Sequence, residues 1–154
     1  MAHECERGMK RILVAVDASP CALSVIEAGV ELARTSGAKL LLLRAVGLPP
    51  EPVPLNGFAS PPTQVVDGMM VTAKRDLAEL SRRIPIELLE GTQALVGVAW
   101  DAICSYAREH DVDMIVIGSH GYRLIDRIIG TTAAKVVNHS DRPVLVVRQR
   151  KEAA

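Results

Sequence analysis

Apolar positions along the chain follow two rhythms, and they alternate. Lys10-Arg11-Ile12-Leu13-Val14-Ala15-Val16 is apolar at every position after its two basic residues, as a strand covered on both faces should be. Ser19-Pro20 follows as helix punctuation, with serine at the cap and proline at the first helical position. The helix this predicts carries Ala22, Val25, Ile26, Gly29, Leu32 and Ala33 on one face, and Gly37 closes it. Lys39 to Val46 is a second aliphatic strand. Val66, Met69, Met70, Ala73, Leu77 and Leu80 recur at helical spacing, and Ile84 to Leu89 reads as a third strand. Leu95, Val98, Ala99, Ala102, Ile103 and Tyr106 make the next helical stripe. Met114 to Ile117 is a fourth strand, Thr131 to Asn138 a fourth helix, and Pro143 to Arg148 a fifth strand.

Strict alternation of strand and helix predicts an α/β fold, an open doubly wound parallel sheet with helices on both faces, because each parallel crossover needs a helix. Right-handed connections then put a ligand crevice beyond the carboxyl ends of the strands, where the winding direction reverses. Residues 47–62 shift to proline, glycine and serine, a stretch too long for a tight α/β connection and read as a loop insertion. Residues 1–154 are expected to form a single domain around one core.

Composition narrows the chemistry. Hydrophobic residues make up 49% of the chain but aromatic ones only 3%, so the core must be aliphatic and stacking platforms for bases are scarce. Lys+Arg and Asp+Glu balance at 18 each with no long run of one sign, which argues against nucleic acid and membrane surfaces as main partners. Cys5, Cys21 and Cys104 are odd in number and far apart, so they read as free thiols in a reducing compartment. The apolar run from Ile12 to Val16 stops at Asp17, far short of the ~18 residues a spanning helix needs, and a cytoplasmic location is expected.

Two strand ends carry the candidate chemistry. After the first strand, the Asp17 carboxylate could accept hydrogen bonds from a ligand, or Asp17 or Ser19 could simply cap the helix. After the fourth, Gly118-Ser119-His120-Gly121 leads to Gly130-Thr131-Thr132. Glycines permit close approach to the backbone, and exposed N–H groups and hydroxyls at a helix start suit anionic oxygens, so a phosphate fits; a plain turn and cap is the alternative. The stretch is neither a P-loop nor G-x-G-x-x-G. Ser119-His120 lacks a surrounding G-x-S-x-G, and adjacent residues do not align as nucleophile and base. His3, His110, His120 and His139 show no metal-ligand spacing. Arg123 and Arg127 lie four apart and could meet a phosphate or remain solvated.

Four segments together resemble the universal stress protein family: Val14-Ala15-Val16-Asp17-Ala18-Ser19-Pro20, Asp113 to Gly121, Gly130 to Val137, and Arg142 to Val147. The resemblance covers Lys10 to Arg148. It implies a five-stranded parallel sheet in the order 3-2-1-4-5, adenine nucleotide alpha hydrolase-like, with the first and fourth strands side by side. It further implies ATP or another adenine nucleotide, with or without Mg2+, in the crevice between them. Carried over, Asp17 would contact the ribose or adenine side and the Val46 backbone the adenine. Ala15 would line the floor, and Gly118, Ser119, His120, Gly121, Gly130, Thr131 and Thr132 would form the phosphate loop. The family pattern G-x2-G-x9-G-[S/T] is one residue longer than this loop, where eight residues separate Gly121 from Gly130. Either Thr131 or Thr132 could therefore supply the hydroxyl.

The resulting expectation is a stress-response protein acting as a signalling or protective module, with slow ATP hydrolysis at most, since no convincing general base is present. A module of the same fold that binds no nucleotide and acts through dimerisation and partner contact is the alternative. The fifth strand would be a sheet edge, and Val144, Leu145, Val146 and Val147 carry no charge to blunt it, so pairing with its own copy in a two-fold homodimer is expected.

Overall fold

The structure is a computed structural model, and it describes residues 7–47, 54–55, 58–59, 62–119 and 129–149. Its elements run β1 (Arg11–Ala15), α1 (Ala22–Ser36), β2 (Lys39–Val46), the short pair β3 (Pro54–Leu55) and β4 (Phe58–Ala59), α2 (Pro62–Ser81), β5 (Leu89–Val96), α3 (Ala99–Glu109), β6 (Met114–Gly118), α4 (Thr131–His139) and β7 (Val144–Val147). Five strands form one sheet in the order β5-β2-β1-β6-β7. All four pairings are parallel. Counted along the main sheet this is 3-2-1-4-5, the order the family resemblance implies, in the parallel sheet that the strand–helix alternation predicts. The pair β3–β4 is a separate antiparallel hairpin within the proline-rich insertion.

Alternation along the buried strands sorts the core into two layers. Ile12 and Val14 of β1 and Val16 just past it, with Leu40, Leu42 and Val46, pack under Val25, Ile26 and Ala33 of α1 and Ala73 and Leu77 of α2. Leu13, Ala15, Leu41, Leu43, Ile115 and Ile117 face the other way, against Ile103 and Ala107 of α3 and Ala133 and Val136 of α4. The chain winds from β1 outward to β5 on the α1–α2 side, then crosses by α3 to β6 on the far side of β1. The reversal leaves a gap at the carboxyl ends of β1 and β6, where no crossover covers the sheet.

Two expected boundaries move, for identifiable reasons. Ile84 to Leu89 does not form a strand. Pro85 lacks an N–H and restricts Ile84, and the segment makes turns instead: Ile84 N–H donates to the Ser81 carbonyl at 3.0 Å, and Leu88 N–H to that of Pro85 at 2.9 Å. The third main-sheet strand starts at Leu89 and runs to Val96 at the sheet edge, where exposed polar residues such as Glu90, Thr92 and Gln93 are tolerated. Leu95 accordingly belongs to that strand and not to the following helix. At the other shift, α1 begins at Ala22, with Cys21 and not Ser19 at the cap position and no side-chain cap hydrogen bond. Its far end is as expected: Gly37 adopts φ 75, a left-handed closure in which its N–H donates to the Ala33 carbonyl at 2.9 Å.

The amino ends of the strands are stapled by charge. Asp113 accepts the N–H groups of Lys10 and Arg11 at 2.7 and 2.9 Å. The Arg11 guanidinium reaches across β2 to Glu90, 2.8 Å away, and donates to the His110 carbonyl. With that end tied, the carboxyl end is the open one.

Candidate functional site

A cavity of about 590 Å³ fills the gap at the carboxyl ends of β1 and β6. Ala15, the last residue of β1, and Ile117 form its floor, and Ala45, Ala99, Ile103 and Ile129 supply apolar walls. The starts of three helices converge on it, through Ser19, Cys21 and Ala22 at α1, Ala99 at α3, and Gly130, Thr131 and Thr132 at α4. An aliphatic bowl with a polar rim results, as a ligand with an apolar ring and a polar tail requires.

Asp17 stands on this rim, exposed, just past β1. Its Oδ1 accepts the Ser19 N–H at 2.9 Å, a turn that fixes the carboxylate and leaves its other oxygen without a partner among the described residues. Asp17 is thus a turn-former but not the helix cap, and Ser19 is no cap either.

Across the cavity, α4 opens without a side-chain cap. Its first helical bond runs from Ala134 N–H to the Gly130 carbonyl at 2.9 Å, so the amides of Thr131, Thr132 and Ala133 lie ahead of it. Unmatched amides at a helix start, flanked by the exposed hydroxyls of Thr131 and Thr132, suit anionic oxygen. Gly130 is buried with φ −56 and ψ 156, a conformation open to any residue.

The other expected residues divide. Gly118, the last residue of β6, lines the cavity. Ser119 does not, and its N–H is already given to the Val147 carbonyl at 2.9 Å, so it closes the β6–β7 ladder. Val46 is turned to the α1–α2 layer and its carbonyl accepts the Gly97 N–H at 2.9 Å; the neighbouring Ala45 lines the cavity. His120, Gly121, Arg123 and Arg127 lie outside the described residues.

Sequence reasoning missed two polar members. Ser19 and Cys21 both line the cavity, and the Ser19 hydroxyl is buried without a hydrogen-bond partner. Reading Ser19 as a cap hid it. The signal available was Asp17, whose own turn takes the Ser19 N–H and moves the helix start downstream. Cys21 is half-buried, with its Sγ 3.5 Å from Gln149 Oε1.

Asp17 is the only carboxylate among the described lining residues, and no histidine, lysine or arginine joins it there. Among the described residues no group of three or more His, Cys, Asp or Glu side chains is placed to hold a metal. No helix among them is long and apolar enough to cross a membrane. Among the described residues the arrangement can bind and orient, and it offers no acid–base pair.

Comparison with known proteins agrees with this geometry. Universal stress protein YxiE of Bacillus subtilis is 30% identical over 148 residues, covering 90% of this chain and 98% of its own. Universal stress protein A homolog 1 of Coxiella burnetii is 29% identical over 140 residues, covering 90% and 95%. Among solved structures, the universal stress protein from Archaeoglobus fulgidus in complex with dAMP superposes with a TM-score of 0.64 at 26% identity, covering 91% of this chain and 98% of that one. Residues 8–148 match the universal stress protein family, and the chain belongs to it.

Proposed function

We propose that this protein binds an adenine nucleotide, ATP or a relative such as AMP, in the cavity between the ends of β1 and β6. The observation that carries the reading is the pairing of two unlike walls across one aliphatic bowl. Asp17 stands on one side with a carboxylate oxygen that no described residue engages, and the start of α4 at Gly130-Thr131-Thr132, without a side-chain cap, stands on the other. A nucleoside carries hydroxyl donors for the first and phosphate acceptors for the second, with a flat ring for the apolar floor. The A. fulgidus relative, solved with dAMP, supports the same class of ligand.

In this reading Thr131, Thr132 and the first amides of α4 hold phosphate, Asp17 takes ribose hydroxyls, Ala15 floors the ring, and Gly118 admits the ligand close to the backbone. Mg2+, where present, would travel with the phosphates. With no acid–base pair among the described lining residues, turnover in this reading is slow at most, and the protein acts as a cytoplasmic single-domain stress-response module, dimeric through β7.

Isothermal calorimetry with AMP and ATP, with and without Mg2+, is the test. Binding is expected, and Gly130→Val should weaken it tenfold or more in a folded protein, because a branched side chain blocks approach to the helix amides. Asp17→Ala should weaken adenosine-containing ligands and leave inorganic phosphate little changed. If Asp17 served the turn alone, the substitution would cost about 1 kcal/mol of stability with affinity intact. Wild-type protein that binds neither nucleotide would leave the dimerisation module as the remaining reading.

A further inference from the structure

Arg44 breaks the aliphatic run of β2, and it takes no part in the cavity between β1 and β6. Its side chain is 15% exposed, with Nη1 paired to Asp76 Oδ2 of α2 at 2.6 Å. Nε and Nη2, which together make a parallel fork of donors, have no partner among the described residues, and unlike the Arg142 Nε neither is a buried orphan. Arg44 lines a groove of about 430 Å³ at the carboxyl end of β2, walled by Val46 and Gly47 on one side and by Val65, Gly68 and Met69 of α2 on the other. It is the one charged residue among the described lining. Gly68 adds a second sign. It stands inside α2, where only proline is a poorer helix former, and a Cβ built there meets no described atom within 4 Å. Packing among the described residues does not ask for a glycine at this position, whereas an open groove wall does.

We infer that this groove is a second binding site, separate from the nucleotide cavity, for a small aliphatic carboxylate. The carboxylate seats on the Nε–Nη2 fork of Arg44, and the hydrocarbon tail lies along Val46, Val65 and Met69. A planar carboxylate meets a guanidinium fork with two parallel hydrogen bonds, which a hydroxyl or an amide cannot do. Charge sets the valence. Arg75 Nη2 lies 3.6 Å from Asp76 Oδ1, so two guanidiniums share one carboxylate and a single positive charge is left over, enough for a monoanion. A dianion would carry an unmatched charge beside Asp76. The groove lies within the about 300–1,000 Å³ of small-molecule sites and has their usual make-up, apolar walls around one placed polar group.

Octanoate is the probe, titrated calorimetrically beside octanol, which has the same tail and no charge. Octanoate should bind the wild type about tenfold or more tightly than octanol, the difference made by a charge-assisted pair, and this comparison needs no variant. Gly68→Leu should melt at the wild-type temperature or above it, because helix propensity rises where no described atom is displaced. The same variant should weaken octanoate about tenfold or more by filling the groove. Octanol that binds as tightly as octanoate would take the Arg44 fork out of the site and overturn the inference. Octanoate affinity unchanged in a folded Gly68→Leu protein, or a wild type that binds no octanoate, would overturn it too. Binding that emerges only when residues 48–61 are replaced by a glycine–serine linker of equal length would make that segment the occupant, which also overturns it. None of these outcomes touches the nucleotide reading, whose ligand and variants are different.

Discussion

At the scale of single residues, close approach decides more than backbone conformation does. Gly29 sits mid-helix in α1 over β1, and a Cβ built there would stand 2.6 Å from Val14 Cγ2. Two effects oppose each other on replacement by alanine. Helix propensity gains about 1 kcal/mol. Overpacking against a fully buried, β-branched valine that cannot swing away costs about 1–3 kcal/mol. Gly29→Ala should therefore lose stability by about 1 kcal/mol in urea titration, and Val14→Ala in the same chain should reduce the clash. The thiols separate by the same logic of burial. Desolvation raises the buried Cys104 thiol above its ordinary pKa, while half-buried Cys21 opens on the cavity. Alkylation at neutral pH followed by peptide mapping should find Cys21 labelled well before Cys104, and nucleotide should slow the labelling of Cys21. Of the candidate site, the residue types at strand ends were legible: Asp17, Gly118, Gly130, Thr131 and Thr132 all line one cavity. Ser19 was not, because a helix start one turn earlier explained its presence equally well.

Elements read correctly where burial imposed a clean pattern and were misplaced where it did not. The strands β1, β2 and β6 were placed to within a residue, since strands covered on both faces must be aliphatic throughout, and β7 was too because it is aliphatic at every position although only partly buried. The edge strand β5 broke that rule: its largely exposed stretch is Glu90-Gly91-Thr92-Gln93, and the more aliphatic Ile84–Leu89, which Pro85 bends into turns, was read as the strand instead. Near that edge, α2 is fastened to β2 by a partly buried ion pair, Arg44 Nη1 to Asp76 Oδ2 at 2.6 Å. The hydrogen bond from Arg44 holds the Asp76 carboxyl below its ordinary value of 3.8. A depressed folded-state pKa contributes stability that is present above the unfolded value and is lost as pH falls through the folded one. The α2–β2 contact should thus weaken in acid below about pH 4. Asp76→Asn should flatten the acid limb of a stability–pH curve, and an unchanged limb would remove the pair from that role.

For the molecule as a whole, the two edges of the sheet are unequal. The outer strand β5 carries charge and is clasped through Glu90 by Arg11, whereas Val144–Val147 is uncharged and Leu145 is 38% exposed. Ile115 and Ser119 donate to the carbonyls of Pro143 and Val147, so alternate residues of β7 face β6 and the backbone groups of Val144 and Val146 face outward. Val146→Pro therefore removes a donor from the free edge and spares the internal ladder. Light scattering should find the wild type dimeric and this variant largely monomeric at matched concentration; a dimeric variant would exclude pairing through β7. The central position of β1 has its own consequence in time. Its partner on one side, β2, begins 28 residues after β1 does, at Arg11↔Lys39, but its partner on the other, β6, pairs Ile12 with Met114. A chain emerging from the ribosome at about 5–20 residues per second can zip β1, β2 and β5 into a half-sheet while one aliphatic flank of β1 waits several seconds for β6. During that wait an apolar strand edge is open to any passing strand, so this fold is most exposed to aggregation, and to chaperones, midway through its own synthesis.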